Sequence, residues 1–168
     1  MNKKGFTLIE LLIVIAILGV LAVVVLVAIN PVQQLARTRD AGRKSTISQL
    51  GHAVVAYYTA HNAVFPATST TWISSLSTSG ELSTIPGAVN YGIGGFGPCS
   101  TNVQSGWCYT YSNLSTGAVI FAQLESQVEI SKCSSSTAAW FAYSADQGKA
   151  GLVCSNSAPV AGTQSFTE

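Results

Sequence analysis

Charge is scarce in this sequence. Its 168 residues hold eight Lys or Arg and seven Asp or Glu, 9% of the chain, against roughly 25% in an average soluble protein. The near balance, a formal +1, excludes the broad electropositive surface of a general nucleic-acid or polyanion binder, so any electrostatics that matters is local. Histidine is almost absent. His52 and His61 stand nine positions apart, on roughly opposite sides of a regular helix, which makes a poor metal pair. No H-E-x-x-H, P-loop or G-x-S-x-G pattern occurs, so no enzyme class and no cofactor is implied. Gly92, Gly94, Gly95 and Gly97 precede Pro98-Cys99 with no capped helix behind them, the pattern of a flexible loop rather than a phosphate cradle. Glu125, Glu129 and Asp146 are too thinly spread for a calcium loop of EF-hand type.

What is present is apolar. Hydrophobic residues make up 48% of the chain and the mean hydropathy is +0.37, which excludes a disordered or collagen-like protein. The length suits one domain rather than two enzyme domains. From Phe6 to Ile29 only Thr7, Glu10 and Gly19 interrupt Leu, Ile, Val and Ala. As a helix this run is about 36 Å long, enough to cross a hydrocarbon core of about 30 Å. One carboxylate costs about 2.5–3.5 kcal/mol at a span's centre and does not outweigh the apolar side chains around it. A cleaved secretory signal fits poorly, because its apolar region is about 7–15 residues and ends in an A-x-A-like site. Here the leader is short, the run is long, and Asn30-Pro31 follows. The run is therefore expected to stay in the mature protein.

Lys3 and Lys4 precede the span, while Arg37, Arg39, Arg43 and Lys44 follow it, so a bare count of positive charges would place the C-terminal side in the cytoplasm. The cysteines argue the opposite. Cys99, Cys108, Cys133 and Cys154 all lie in the C-terminal part and form no C-x-x-C pair, the usage of two disulfides outside the cytoplasm. Three pairings are open. The sequential one, Cys99–Cys108 and Cys133–Cys154, is preferred because each closes a short loop between neighbouring elements.

Lys3-Lys4-Gly5-Phe6-Thr7-Leu8-Ile9-Glu10 followed by a long apolar run resembles the prepilin N-terminus of type IV pilins and of the pseudopilins of type II secretion. The likeness is close over the first 35 residues and diffuse beyond Phe65-Pro66. It implies that a membrane protease cuts between Gly5 and Phe6 and methylates the new amine of Phe6. A residue without Cβ lets the backbone approach such an enzyme. Losing both leader lysines takes the side-chain balance from +1 to −1. For Glu10 the resemblance implies that its carboxylate neutralises the N-terminal amine of a neighbouring subunit and so sets the register of assembly. The plainer alternative is a tolerated polar residue near the headgroups. The implied fold is α+β: one long helix, transmembrane in its first half and amphipathic in its second, packed on a small antiparallel sheet.

The residues after the span support that outline. Asn30-Pro31-Val32-Gln33 reads as a fresh helix start, with a kink expected rather than a stop. Ile47, Leu50, Val54 and Tyr57/Tyr58 recur at helical spacing. Phe65-Pro66 is expected to end this helix of about 55–60 residues, with Gly19, Gly42 and Gly51 as soft points. A short helix is expected within Thr71–Leu82. Strands are expected at Trp107–Ser112, Ala118–Glu125 and Thr137–Ser144, with a fourth through Ala150–Cys154. Asn113 to Gly117 is expected to turn between the first two, making an antiparallel hairpin. Folding this sheet onto Ile47–Tyr58 is expected to cover one of its faces. Arg37, Arg39, Arg43 and Lys44, with Asp40 among them, read as a solvated helix surface or an attraction to headgroups or neighbouring subunits; nucleic-acid contact is not expected. The sequon Asn113-Leu114-Ser115 is a weak pattern.

The expected organisation is thus a leader at 1–5, a transmembrane and filament-core helix at 6–29, its amphipathic half at 30–65 and a disulfide-bearing head at 66–168. The expected function is structural: a pilus subunit, stored in the inner membrane, processed by a prepilin peptidase that is also an N-methyltransferase. An assembly platform and its ATPase would then build it into a homo-oligomeric filament on the cell surface. The alternatives are a pseudopilin and, from another class, a membrane-tethered extracytoplasmic binding module or enzyme.

Overall fold

Leu8–Ile29 forms the first helix, α1, and none of its residues is buried. In the computed structural model the described residues are 5–91, 99, 102–113, 117–134, 138–162 and 164–167. The glycine-rich run at 92–97 and Leu114-Ser115 of the sequon lie outside them. The chain divides into two units, Met1–Leu35 and Ala36–Glu168.

The chain does not continue as one helix past Ile29. Asn30 adopts a left-handed backbone, φ 45°, and closes α1 as its C-cap. Its carbonyl then accepts from the N–H groups of Gln33 and Gln34, at 3.1 and 3.3 Å, and its Oδ1 lies 3.4 Å from the Gln33 nitrogen. Asparagine tolerates this conformation and caps well, and proline at the first helical position has no N–H to leave unsatisfied. The result is a separate helix, α2, Pro31–Ala60. It ends earlier than Phe65-Pro66 because Asn62 and Ala63 turn left-handed, φ 53° and 60°. A short α3, Trp72–Thr78, follows. It stops at Gly80, φ 86°, beyond which the Glu81 and Leu82 N–H groups return to the Leu76 carbonyl.

Five strands form an antiparallel sheet in sequence order: β1 Val103–Gln104, β2 Trp107–Asn113, β3 Gly117–Gln123, β4 Ala138–Ser144 and β5 Lys149–Ser155. A four-residue helix, α4, Gln127–Ile130, sits between β3 and β4. β1 pairs with β2 across Ser105-Gly106, both at positive φ, a two-residue hairpin too short for its first strand to be legible in sequence.

Alternation sorts the side chains. Tyr109, Ile120 and Tyr143 are cross-strand neighbours and join Ile47, Leu50, Ala53 and Val54 of α2 and Trp72, Ile73 and Leu76 of α3 in the main core. Gly51 lies directly on the Tyr143 ring rather than at a soft point. The opposite face is covered as well, a departure from the expected one-sided sheet. Cys108, Val119, Phe121, Trp140, Ala142 and Val153 pack with Cys99 and Ala161, flanked by Ala158 and Phe166. Thr167 bridges Leu152, its N–H donating to the Leu152 carbonyl at 2.7 Å. The C-terminal segment thus lies along β5, and β3 is buried from Gly117 to Ala122.

Candidate functional site

The N-terminal segment is built around one reciprocal cap. Thr7, extended at φ −85°, ψ 152°, is the N-cap of α1, and Glu10 occupies the third helical position. The Glu10 N–H donates to Thr7 Oγ1 at 3.3 Å, while Glu10 Oε2 accepts from the Thr7 N–H at 2.8 Å and from Thr7 Oγ1 at 2.7 Å. Two backbone donors that a helix start leaves open are satisfied in this way. Both contacts fall on Oε2, so Glu10 keeps Oε1 for another donor. Gly5 is exposed, no atom stands within 4 Å of where its Cβ would be, and Phe6 is 83% exposed. Apart from Glu10, α1 presents apolar side chains in every direction along its 22 residues, long and apolar enough to cross a membrane. A model of the prokaryotic N-terminal methylation motif matches residues 1–26. Residues 1–26 are a prepilin signal. Neither the comparison with curated proteins nor that with solved structures gives a match.

The motif supports a type IV pilin or a pseudopilin and implies processing by a prepilin peptidase. It agrees with a membrane-anchored precursor. The fold is α+β: an apolar N-terminal helix followed by a five-stranded antiparallel sheet, consistent with the pilin-like fold.

The basic cluster of α2 is the solvated surface expected only in part: Arg37 and Arg39 are exposed and Lys44 is half-buried, but Arg43 is buried. Arg43 is 3% and Asp40 2% exposed. Arg43 donates to Asp40 Oδ1 from Nη1 at 3.0 Å, to the Gln123 carbonyl at 3.0 Å, and from Nη2 to the Asn90 carbonyl at 3.0 Å. Its guanidinium also lies 4.7 Å from the Tyr91 ring centre. Asp40 accepts from the backbone N–H groups of Glu125 and Ser126. Arg39 pairs with Glu125, which also reaches Arg43 Nη2 at 3.3 Å. Lys44 and Lys132 hold Glu129 at 2.7 and 3.0 Å. Partial burial raises the Glu129 carboxyl, but the two ammonium groups outweigh it and hold the group below its ordinary value. Burial pushes Tyr91 up to about 12, against the opposing charge of Arg43.

Asp40 and Arg43 therefore fasten α2 to the β3–α4 junction and to the loop at Asn90. An Asp three residues before an Arg looks like an ordinary surface pair. The available signal was the rarity of acids in this chain, with Asp40 inside a basic run. Glu125 and Glu129, considered above as calcium ligands, take Arg and Lys partners instead, and Asp146 Oδ1 accepts from Ser144 Oγ. Among the described residues no group of three His, Cys, Asp or Glu is placed to hold a metal.

Cys99 is bonded to Cys108 and Cys133 to Cys154, with Cα atoms 6.0 and 5.4 Å apart. The first bond ties the chain at residue 99 to β2, and the second ties the end of α4 to β5. Both histidines are exposed on α2 or just past it. His52 Nδ1 lies 3.5 Å from Tyr143 Oη, and the His61 ring stacks on Tyr57.

Proposed function

We propose that this chain is a structural subunit of a type IV pilus filament. It would be processed between Gly5 and Phe6, N-methylated on Phe6, stored in the inner membrane through residues 6–29, and drawn by an assembly platform and its ATPase into a homo-oligomeric fibre. Residues 1–5 are then the leader, 30–65 link span to head, and 66–168 form the disulfide-bearing surface.

One observation carries the reading: an acid at the third position of an otherwise apolar, wholly exposed helix, inside a prepilin signal. Such a helix needs apolar surroundings on every side, either lipid or copies of itself. A carboxylate there is costly alone and tolerable beside an ammonium. Glu10 Oε1 is the atom that would receive the Phe6 amine of a neighbouring subunit.

The pseudopilin reading shares this N-terminus. The Ser/Thr-rich surface favours an exposed fibre over a short periplasmic piston, since a polar hydroxyl coat suits a fully solvated exterior; the two disulfides suit either, because the periplasm is oxidising as well. Mass spectrometry of the mature N-terminus is the deciding experiment. N-methyl-Phe6 is expected; an intact Met1 would sink both readings and leave a membrane-tethered module. Electron microscopy of sheared surface filaments, with their main protein identified as this chain, separates pilus from pseudopilin.

A further inference from the structure

A groove of about 440 Å³ opens between the C-terminal end of α2 and the outer side of α3. Its floor includes Tyr57, half-buried, with the His61 ring stacked on it at 3.8 Å and nearly parallel. Its other wall is hydroxyls: Thr71, Ser74, Ser75, Thr78 and Ser79. The groove is shallow and open to solvent, and no Asp, Glu, Lys or Arg lines it.

The hydrogen bonds within the groove decide what it can hold. Ser75, Thr78 and Ser79 each give their proton to a carbonyl of their own helix, at 3.3, 2.9 and 3.0 Å. What they turn outward is lone pairs. His61 Nδ1 lies 3.0 Å from the Tyr57 carbonyl. A carbonyl only accepts, so the neutral ring carries its proton on Nδ1 and Nε2 is an acceptor as well. Ser74 Oγ accepts from Gln104 Nε2 at 2.6 Å and keeps its own proton for donation. The groove therefore combines an aromatic platform with more acceptors than donors, and holds no carboxylate, ammonium or guanidinium. A bound cation would want a carboxylate here, and an anion would want a cation. A ligand with many O–H donors on a partly apolar ring skeleton satisfies all three features.

We infer that this groove is a binding site for neutral saccharides, with a sugar ring lying against the Tyr57–His61 pair and its hydroxyls donating to the Ser/Thr wall and to His61 Nε2. Every residue of the site falls within the unit Ala36–Glu168, so it holds whether or not the chain builds a fibre. Its test needs no filament.

The test is nuclear magnetic resonance of the full chain, labelled in Tyr and His, in micelles of a phosphocholine detergent that carries no sugar. Methyl glycosides of glucose, galactose, mannose and N-acetylglucosamine are titrated singly, with methylammonium chloride as the cation probe. Saturable shifts of the Tyr57 and His61 rings by at least one glycoside are expected. His61→Ala removes an exposed ring without opening the core and should weaken that binding about tenfold. His52→Ala should leave it unchanged. No saturable shift from any glycoside, a response to methylammonium alone, or equal binding by His61→Ala and the parent would each overturn the assignment.

Discussion

Replacing Gly51 by alanine probes a close approach between α2 and β4. On a solvated helix this change stabilises by up to about 1 kcal/mol. At residue 51 a Cβ would stand 2.2, 2.4 and 2.6 Å from Cγ, Cδ1 and Cδ2 of Tyr143. Ordinary contact begins near 3.4 Å, so α2 and the ring must part by about 1.2 Å along this line. Rotating the ring does not help, because Cγ lies on the rotation axis. Moving the helix disturbs Ile47, Leu50 and Val54, all fully buried. Overpacking of this kind costs about 1–3 kcal/mol, more than the helix gains. The net expectation is a loss of about 1–2 kcal/mol, or a midpoint lowered by about 2–8 °C in a chain of this size. The assay is heat unfolding of the full chain in micelles, followed by near-ultraviolet circular dichroism of the buried aromatics. Gly42→Ala, with nothing within 4 Å of the added atom, is the matched control and should raise the midpoint slightly. In a Tyr143→Ala background the Gly51 change should become harmless, a direct sign of coupling. A Gly51→Ala protein as stable as its parent would refute the packing argument.

Arg43→Ala should cost about 3–5 kcal/mol, since it leaves Asp40 buried without its cation, and even Arg43→Lys should destabilise measurably in denaturant titration because one ammonium cannot reach Asp40, Gln123 and Asn90 together. Glu10→Gln keeps a side chain able to accept from Thr7 but loses the charge; if Glu10 pairs with a neighbour's amine, the ratio of sheared filament to mature membrane subunit should fall well below the parent's, and an undiminished ratio would reduce Glu10 to a helix cap. For Tyr91 the folded-state value is raised above the ordinary one near 10, so its contribution is complete below pH 10 and disappears as pH climbs toward 12. Tyr91→Phe should flatten the alkaline fall in unfolding midpoint. The sign reverses for Glu129, whose folded-state value is lowered: its stabilisation is present above the ordinary carboxylate range and is lost as acid is added, and Glu129→Gln should flatten the acid limb.

The elements that sequence made legible are those whose pattern is local. The aromatic and β-branched alternation of Trp107–Ser112 and the apolar Ala118–Glu125 mark strands to within two residues at each end, because a pleated surface demands that chemistry. The prepilin signal is legible for the same reason: Gly5, Phe6 and Glu10 are neighbours in sequence. Less visible was the covering of the sheet's second face, since Cys99, Ala158, Ala161 and Phe166 lie in irregular segments with no periodicity to betray them. Asp40 and Arg43 look solvated in sequence because their partners at 123–126 lie about 80 positions away. The early end of α2 had one clue, Asn62, a residue that accepts the left-handed conformation more readily than most. The stacking of His61 on Tyr57 follows from their four-residue spacing, but the hydroxyl wall opposite them depends on where α3 packs.

The strand order β1 to β5 also has a consequence in time. Each strand pairs with the one made just before it, so the sheet can close hairpin by hairpin, and the entropic barrier to joining chain ends, which rises with the logarithm of loop length, stays low at every step. Cys133 precedes β4 and Cys154 lies in β5; closing that single hairpin brings the two thiols within reach. Cys99 and Cys108 flank the hairpin of β1 and β2 in the same manner. Oxidation can then follow chain geometry rather than direct it, and a head newly arrived in an oxidising compartment meets its native thiol partners before it meets the others.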